Sequence, residues 1–170
     1  MDVRLPYRLG REDGKLADTT ERGKEIPDEV KLPRWLEPAN RVVISLQRLG
    51  LAIGTMRLFS VPGRRSGELR TTPVSPLTMS GLRYVVGLQD ADWVKNARTA
   101  GWGILTCGRN EERVVLVELP PEERAPVLRA FPREVPHGVE FLVRLGIADS
   151  PDSEAFAAAA PRCAVFRIEG

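Results

Sequence analysis

Residues 62–73, PGRRSGELRTTP, combine the side chains that hold an anion. Residues 57–70 carry four arginines and one glutamate, a local balance of +3 in a chain whose total is +2. A guanidinium offers a planar fork that matches two phosphate oxygens at once. Gly63 and Gly67 let backbone amides approach a ligand closely, and Ser66 adds a hydroxyl. A solvated basic hairpin turn has the same composition, and the residues alone leave both readings open. A Walker-type phosphate loop is excluded, because the GxxxxGK spacing and its lysine are missing, and there is no GxGxxG.

Other reactive side chains are few. The single histidine, His137, stands between Pro136 and Gly138 and reads as a surface-turn residue ahead of a pocket proton donor. Cys107 and Cys163 lie far apart without CxxC spacing, and no base is placed beside either. Each reads as a small core residue, and neither a disulfide scaffold nor a His/Cys zinc site is expected. Trp93 suits a ligand wall or core packing, whereas Trp35, Trp102 and Tyr84 read as packing residues. Glu111-Glu112 and Glu122-Glu123 fit a solvated turn and a helix start better than a paired acid and base.

The elements that must position these groups follow from pattern and punctuation. From Trp35, WLEPANRVVISLQRLGLAIG places Ala39, Val42, Val43, Leu46, Leu49 and Ile53 at helical spacing, with Arg41, Ser45 and Arg48 opposite. MRLFSV, LRTTPVSP, RYVVG, WGILTC, RVVLVEL and CAVFRIE read as strands bounded by Pro and Gly. Pro73 cannot donate to a ladder, so its strand is an edge or is bulged there. Residues 90–100 suit a short helix stopped by Gly101, and residues 108–112 a turn between two strands. PPEERAPVLRAF starts as a helix that Pro126 must shorten or kink. Residues 139–146 are apolar and of unsettled type, and Ser150-Pro151-Asp152 caps an alanine-rich helix expected to end at Pro161. Strands and helices do not alternate one for one, which favours a mainly β, α+β fold, a small barrel flanked by helices, over a parallel α/β sheet.

The chain's 170 residues suit one domain, with residues 1–31 as a flexible arm of mixed charge and residues 32–170 as the domain. Twenty-five basic against 23 acidic residues and only 6% aromatics argue against a nucleic-acid partner. No apolar run reaches the roughly 20 residues of a membrane crossing, which leaves weak membrane-surface contact through the helix near Trp35 as the most a bilayer would see. The N-terminus shows no secretion signal, so a cytoplasmic location is the default.

From about Leu32 to Glu169 the sequence resembles the deazaflavin-dependent nitroreductase family, small split β-barrels related in fold to FMN-binding, pyridoxamine-phosphate-oxidase-like proteins. The resemblance rests on the order of an amphipathic helix, PGRRSGELRTTPV, RYVVG, the Trp-x-x-Asn step at Trp93 and Asn96, the strand-plus-PPEER segment and APRCAVFRI. It implies that Arg64, Arg65, Ser66, Gly67, Arg70, Trp93 and Asn96 bind the phosphate tail of coenzyme F420, an 8-hydroxy-5-deazaflavin, and that Thr72, Pro73 and Val74 lie against its ring. It further implies hydride transfer to a small-molecule electron acceptor such as a nitroaromatic, quinone or enone, by a monomer or homodimer. No metal site is implied and no catalytic residue is singled out; Tyr84, Ser75 or water are the candidate proton donors. The chain departs from the family where LQDAD replaces a Ser-x-Gly-Gly loop and a Pro ahead of the tryptophan, and where Cys163-Ala164 replaces a His-Pro. The shortened loop keeps an FMN-dependent reductase and a non-catalytic cofactor or porphyrin-like carrier as alternatives.

Overall fold

A computed structural model describes residues 54–170. The expected arm over residues 1–31 and the helix expected from Trp35 lie outside the described residues. The strands are β1 (Arg57–Pro62), β2 (Leu69–Val74), β3 (Leu77–Met79), β4 (Leu82–Leu88), β5 (Trp102–Cys107), β6 (Asn110–Glu118) and β7 (Cys163–Glu169). The helices are α1 (Asp92–Ala100), α2 (Pro121–Glu134), α3 (Pro136–Arg144) and α4 (Ser153–Ala158), with a 3-10 turn at Ala160–Arg162. The strands form one seven-stranded sheet in the order β2-β1-β5-β6-β7-β4-β3, and every pairing is antiparallel. The sheet curls into a half-barrel, the split-barrel architecture expected from the sequence.

Alternation along the strands feeds two cores on opposite faces of the sheet. In β7, Ala164, Phe166 and Ile168 join Phe59, Val61, Val85, Leu105 and Val114 inside the half-barrel, which α1 covers with Val94 and Ala97. Cys163 and Val165 point the other way, into a cluster built with Tyr84, Leu77 and the apolar faces of α2, α3 and α4. β7 thus sits between β6 and β4 and contributes to both cores.

Pro73 lies in β2, which among the described residues pairs only with β1, so the missing donor falls on an edge as expected. Several boundaries differ from the sequence reading. β3 is a strand where only a turn was expected after residue 78; its three residues are too few to show a period. The β5–β6 turn is tighter than residues 108–112, because Cys107 already pairs with Asn110 and Gly108 takes the positive φ of 59° that closes it. Helix α1 starts at Asp92 rather than Asp90.

Helix α2 runs 14 residues, straight through Pro126 and Pro132. Pro126 and Glu122, one turn before it, are both exposed, so water can serve the carbonyl that the proline leaves without a donor. The unsettled segment at 139–146 is largely helix α3, entered through Pro136 at its first position. Helix α4 ends at Ala158, short of Pro161, and the 3-10 turn completes the descent into β7. Its cap is as expected: Asp152 accepts from the amides of Glu154 (3.0 Å) and Ala155 (2.9 Å).

Candidate functional site

A pocket of about 380 Å³ opens between β2, β4 and the helical face, within the size range of small-molecule sites. Its walls are mostly apolar. Thr72, Pro73 and Val74 form the β2 side, Val86, Gly87 and Leu88 the β4 side, and Phe131, Val135, Phe141 and Leu142 the helical side. Trp93, in the first turn of α1, closes one end. Four residues assigned to the site from sequence, Thr72, Pro73, Val74 and Trp93, therefore meet in one cavity.

Trp93 does both things its sequence left open. It stands edge-on to Phe59, centroids 5.8 Å apart at 78°, and tilted against Phe166 at 5.9 Å, so part of the indole belongs to the barrel core while the rest lines the pocket. Its seat requires glycine in β4: a Cβ on Gly87 would lie 2.1 Å from Trp93 Cζ2.

The basic turn packs on α1, the helix that brings Trp93 to the pocket. Gly63 and Gly67 close it, with Gly63 N–H donating to the Glu68 carbonyl and Gly67 N–H to the Gly63 carbonyl, both at 2.8 Å; Gly67 adopts φ 72°, a left-handed conformation that glycine takes without strain. Arg64 ties the turn to α1. Its backbone N–H (3.1 Å) and guanidinium (2.9 Å) both donate to Oδ1 of the buried Asn96, and the guanidinium also reaches Asp92 at 3.0 Å. Arg64 and Asn96 are thus brought together, but as a clamp that positions the turn rather than as free donors.

The arginines do not form one patch. Arg57 turns its guanidinium to the carbonyls of Gly54 (3.0 Å) and Met56 (2.9 Å) and borders a second, more polar cleft of about 410 Å³. There Arg83 grips Glu112 through two bonds of 2.6 and 2.7 Å, which hold the Glu112 carboxyl below its usual range. Arg70 pairs with Glu68 at 3.2 Å, and both side chains are largely exposed, so this bond is readily exchanged for another anion. Arg65 and Ser66 are exposed, and among the described residues Arg65 makes no ion pair. Helix α1 adds first-turn amides: its N-cap, Ala91, has no capping side chain, and the first intrahelical bond runs from Lys95 N–H to the Ala91 carbonyl. Arg65, with no ion pair among the described residues, Arg70 with an exchangeable one, the Ser66 hydroxyl and the uncapped start of α1 are groups that can accept an anion.

Two proton-donor candidates are corrected. Tyr84 is buried in the helical-side core and does not line the pocket. His137 is not in a surface turn; it sits in the first turn of α3 and lines the pocket, its Nε2 3.1 Å from Ser75 Oγ and 3.2 Å from Thr55 Oγ1. The signal was present in Pro136, a favoured first helical residue ahead of apolar residues at 139, 142 and 143. Cys163 also lines the pocket, and burial pushes its thiol up to about 11, consistent with a core residue. Trp102 packs its indole under the Arg113 guanidinium at 4.1 Å, away from the pocket. The described residues hold no cluster of three metal-ligating side chains, and none of their helices is long and apolar enough to cross a membrane.

No protein-family model matches the chain, and no curated protein matches it. Among solved structures, one described as a domain-swapped dimer superposes with a TM-score of 0.50 at 18% identity, covering 79% of this chain and 97% of that one. The protein Atu2129 of Agrobacterium tumefaciens, of unknown function, gives 0.51 at 15% identity over 83% of this chain and 58% of its own. An F420-H2 dependent reductase, FDR-A, gives 0.46 at 18% identity, over 68% and 95%. At such identities the likeness to the first two concerns the fold alone.

Proposed function

We propose that this chain is an oxidoreductase that binds a deazaflavin of the F420 type and serves hydride transfer to an electron-poor small molecule, a nitroaromatic, quinone or enone. The observation that carries the reading is an apolar cavity walled by Thr72–Val74 and Trp93, with Arg65, Ser66 and Arg70 exposed on a turn that Arg64 clamps to α1, the helix that carries Trp93. A cofactor with a flat ring and a phosphorylated tail asks for those two surfaces side by side.

The residues present fit such a group. Pro73 and Val74 line the cavity and would lie against the ring, and among the described residues β2 is an edge strand paired with β1 alone. Arg65, Arg70 and Ser66 would take the phosphate on the turn that Gly67 closes, with Arg64 and Asn96 fixing the turn against α1 and Trp93 bounding the ring. When bound, the reduced coenzyme supplies the hydride; the protein supplies orientation and excludes water from the apolar walls.

The short β4–α1 link favours a second reading, in which the site binds FMN or carries a cofactor without turnover. Gln89 N–H donates to the Arg162 carbonyl at 3.1 Å and Ala91 N–H to the Leu88 carbonyl at 3.0 Å, so that link offers a ligand few amides. Equilibrium dialysis against oxidised deazaflavin and FMN, followed by anaerobic mixing of the protein and reduced deazaflavin with menadione, separates the readings. Saturable deazaflavin uptake with oxidation by the quinone is expected. Uptake of FMN alone overturns the cofactor assignment, and uptake of deazaflavin without oxidation makes the protein a carrier.

A further inference from the structure

Among the described residues two titratable side chains line the pocket, His137 and Cys163. Cys163 is 2% exposed and burial raises its thiol, so it keeps its proton and has no route to replace one. His137 differs on both counts: its residue is exposed at the rim, where water can return a proton, and an imidazole nitrogen can both hold and pass one. Its Nε2 meets two hydroxyls, Ser75 Oγ at 3.1 Å and Thr55 Oγ1 at 3.2 Å. Ser75 directly follows Thr72–Val74, the wall assigned to the ring.

We infer that His137, acting through the Ser75 hydroxyl, supplies the proton that completes reduction of the acceptor, and that the acceptor is one whose reduction leaves an oxyanion, an enone or a quinone. The inference rests on the hydride-transfer reading of this pocket. For an enone, the hydride from the reduced 5-deazaflavin bonds to the β-carbon and the C=C electron pair moves to leave an enolate. The enolate oxygen takes the Ser75 proton while Ser75 takes the Nε2 proton of the imidazolium. The neutral imidazole regains a proton from water at the rim. The acceptor gains one hydride and one proton, the reductant loses one hydride, and solvent makes up the proton.

Thr55, on the lead into β1, brings a second hydroxyl to the same nitrogen, so hydroxyls from two segments border Nε2 at the pocket wall. Nearby charges are engaged elsewhere: Glu140 pairs with Arg144 on α3 (3.4 Å), Glu134 with Arg133 on α2 (2.9 Å), and Arg57 with the carbonyls of Gly54 and Met56. The β2–β3 link contributes Ser75 and Pro76, neither charged.

The test uses the full chain and its His137→Gln and Ser75→Ala variants. Single-turnover oxidation of reduced deazaflavin by cyclohexenone and by menadione is followed from about pH 5 to about pH 9, beside dialysis of the oxidised cofactor and the NMR titration of the ring protons of His137, the chain's only histidine. Both variants are expected to bind cofactor and melt like wild type yet turn over about a hundredfold more slowly near neutrality. His137→Gln should also lose the wild-type decline of rate above the midpoint read for His137 by NMR. Ser75→Ala should shift that midpoint. Wild-type rates and pH profile in His137→Gln overturn the inference alone. Wild-type protein that binds no deazaflavin, or binds it without turnover, overturns the hydride-transfer reading and the inference with it.

Discussion

Replacing Gly87 by alanine tests the seat of Trp93 directly. The added Cβ would stand 2.1 Å from Trp93 Cζ2, 2.8 Å from Cε2 and 2.8 Å from Val94 Cγ2, whereas carbon atoms pack at roughly 3.5–4.0 Å. The indole would have to retreat by about 1.5 Å, by the same contact distances, and Phe59 and Phe166 stand behind it. Overpacking of this kind costs about 1–3 kcal/mol. In a domain of this size each kcal/mol lowers the melting temperature by about 2–4 °C, so a fall of about 2–12 °C is expected. Differential scanning calorimetry reads the melt and near-ultraviolet circular dichroism reads the indole. A double variant with Trp93→Leu isolates the contact: adding Gly87→Ala to Trp93→Leu should cost much less than adding it to wild type. A Gly87→Ala protein that melts within about a degree of wild type, with an unchanged near-ultraviolet spectrum, would show that the indole does not rest on this glycine.

Arg65→Ala should weaken deazaflavin binding about ten- to hundredfold, the loss of one charge-assisted phosphate contact, with an unchanged melt; Arg65→Lys should recover part of it. Unchanged dialysis constants would reduce Arg65 to a surface charge. Arg64→Ala should instead lower the melting temperature, because it strips a donor from buried Asn96, and equal melts would sever the clamp from stability. Cys163 keeps its proton in the folded chain up to about 11, while the unfolded chain ionises near its ordinary value of 9.0. The folded state therefore binds more protons in that window, and the thiol's contribution is complete below it and lost as pH rises through it. The stability gap between wild type and Cys163→Ala in urea should accordingly narrow between neutral pH and about pH 10, and a constant gap would count against the burial of the thiol. We also propose that residues 1–31 are dispensable for folding: a chain starting at Leu32 should keep a cooperative transition, and insolubility would make the arm structural.

The barrel was legible in the sequence because its strands are short apolar runs punctuated by Pro and Gly, and the edge position of β2 followed from one chemical fact, that Pro73 has no N–H. Helix α3 was not, since residues 139–146 span too few turns for a period of 3.6 to separate from one of 2. The misplacement of His137 followed from that, because Pro-His-Gly reads as a turn until the helix after it is recognised. Summed charge misled as well. Residues 57–70 carry a real excess of arginine, but the backbone sends Arg57 to another cleft and spends Arg64 on Asn96 and Asp92. Only the fold distinguishes an arginine that binds its own chain from one left for a ligand.

The central place of β7 has a kinetic consequence. Its partners lie far away along the chain: Arg83 pairs with Ile168 and Val117 with Arg167. The β1–β2 and β5–β6 hairpins close over short loops, but β1 must find β5 and β7 must find both β6 and β4, so the sheet becomes continuous only after three long-range pairings have formed. Sheets dominated by such non-local pairings fold in milliseconds to seconds rather than microseconds. Until β7 docks, β6 and β4 each show an open edge, and Val115, still 53% exposed in the finished fold, sits on one of them. Substitutions in β7 that slow its docking would thus prolong an aggregation-prone intermediate even where the native state tolerates them.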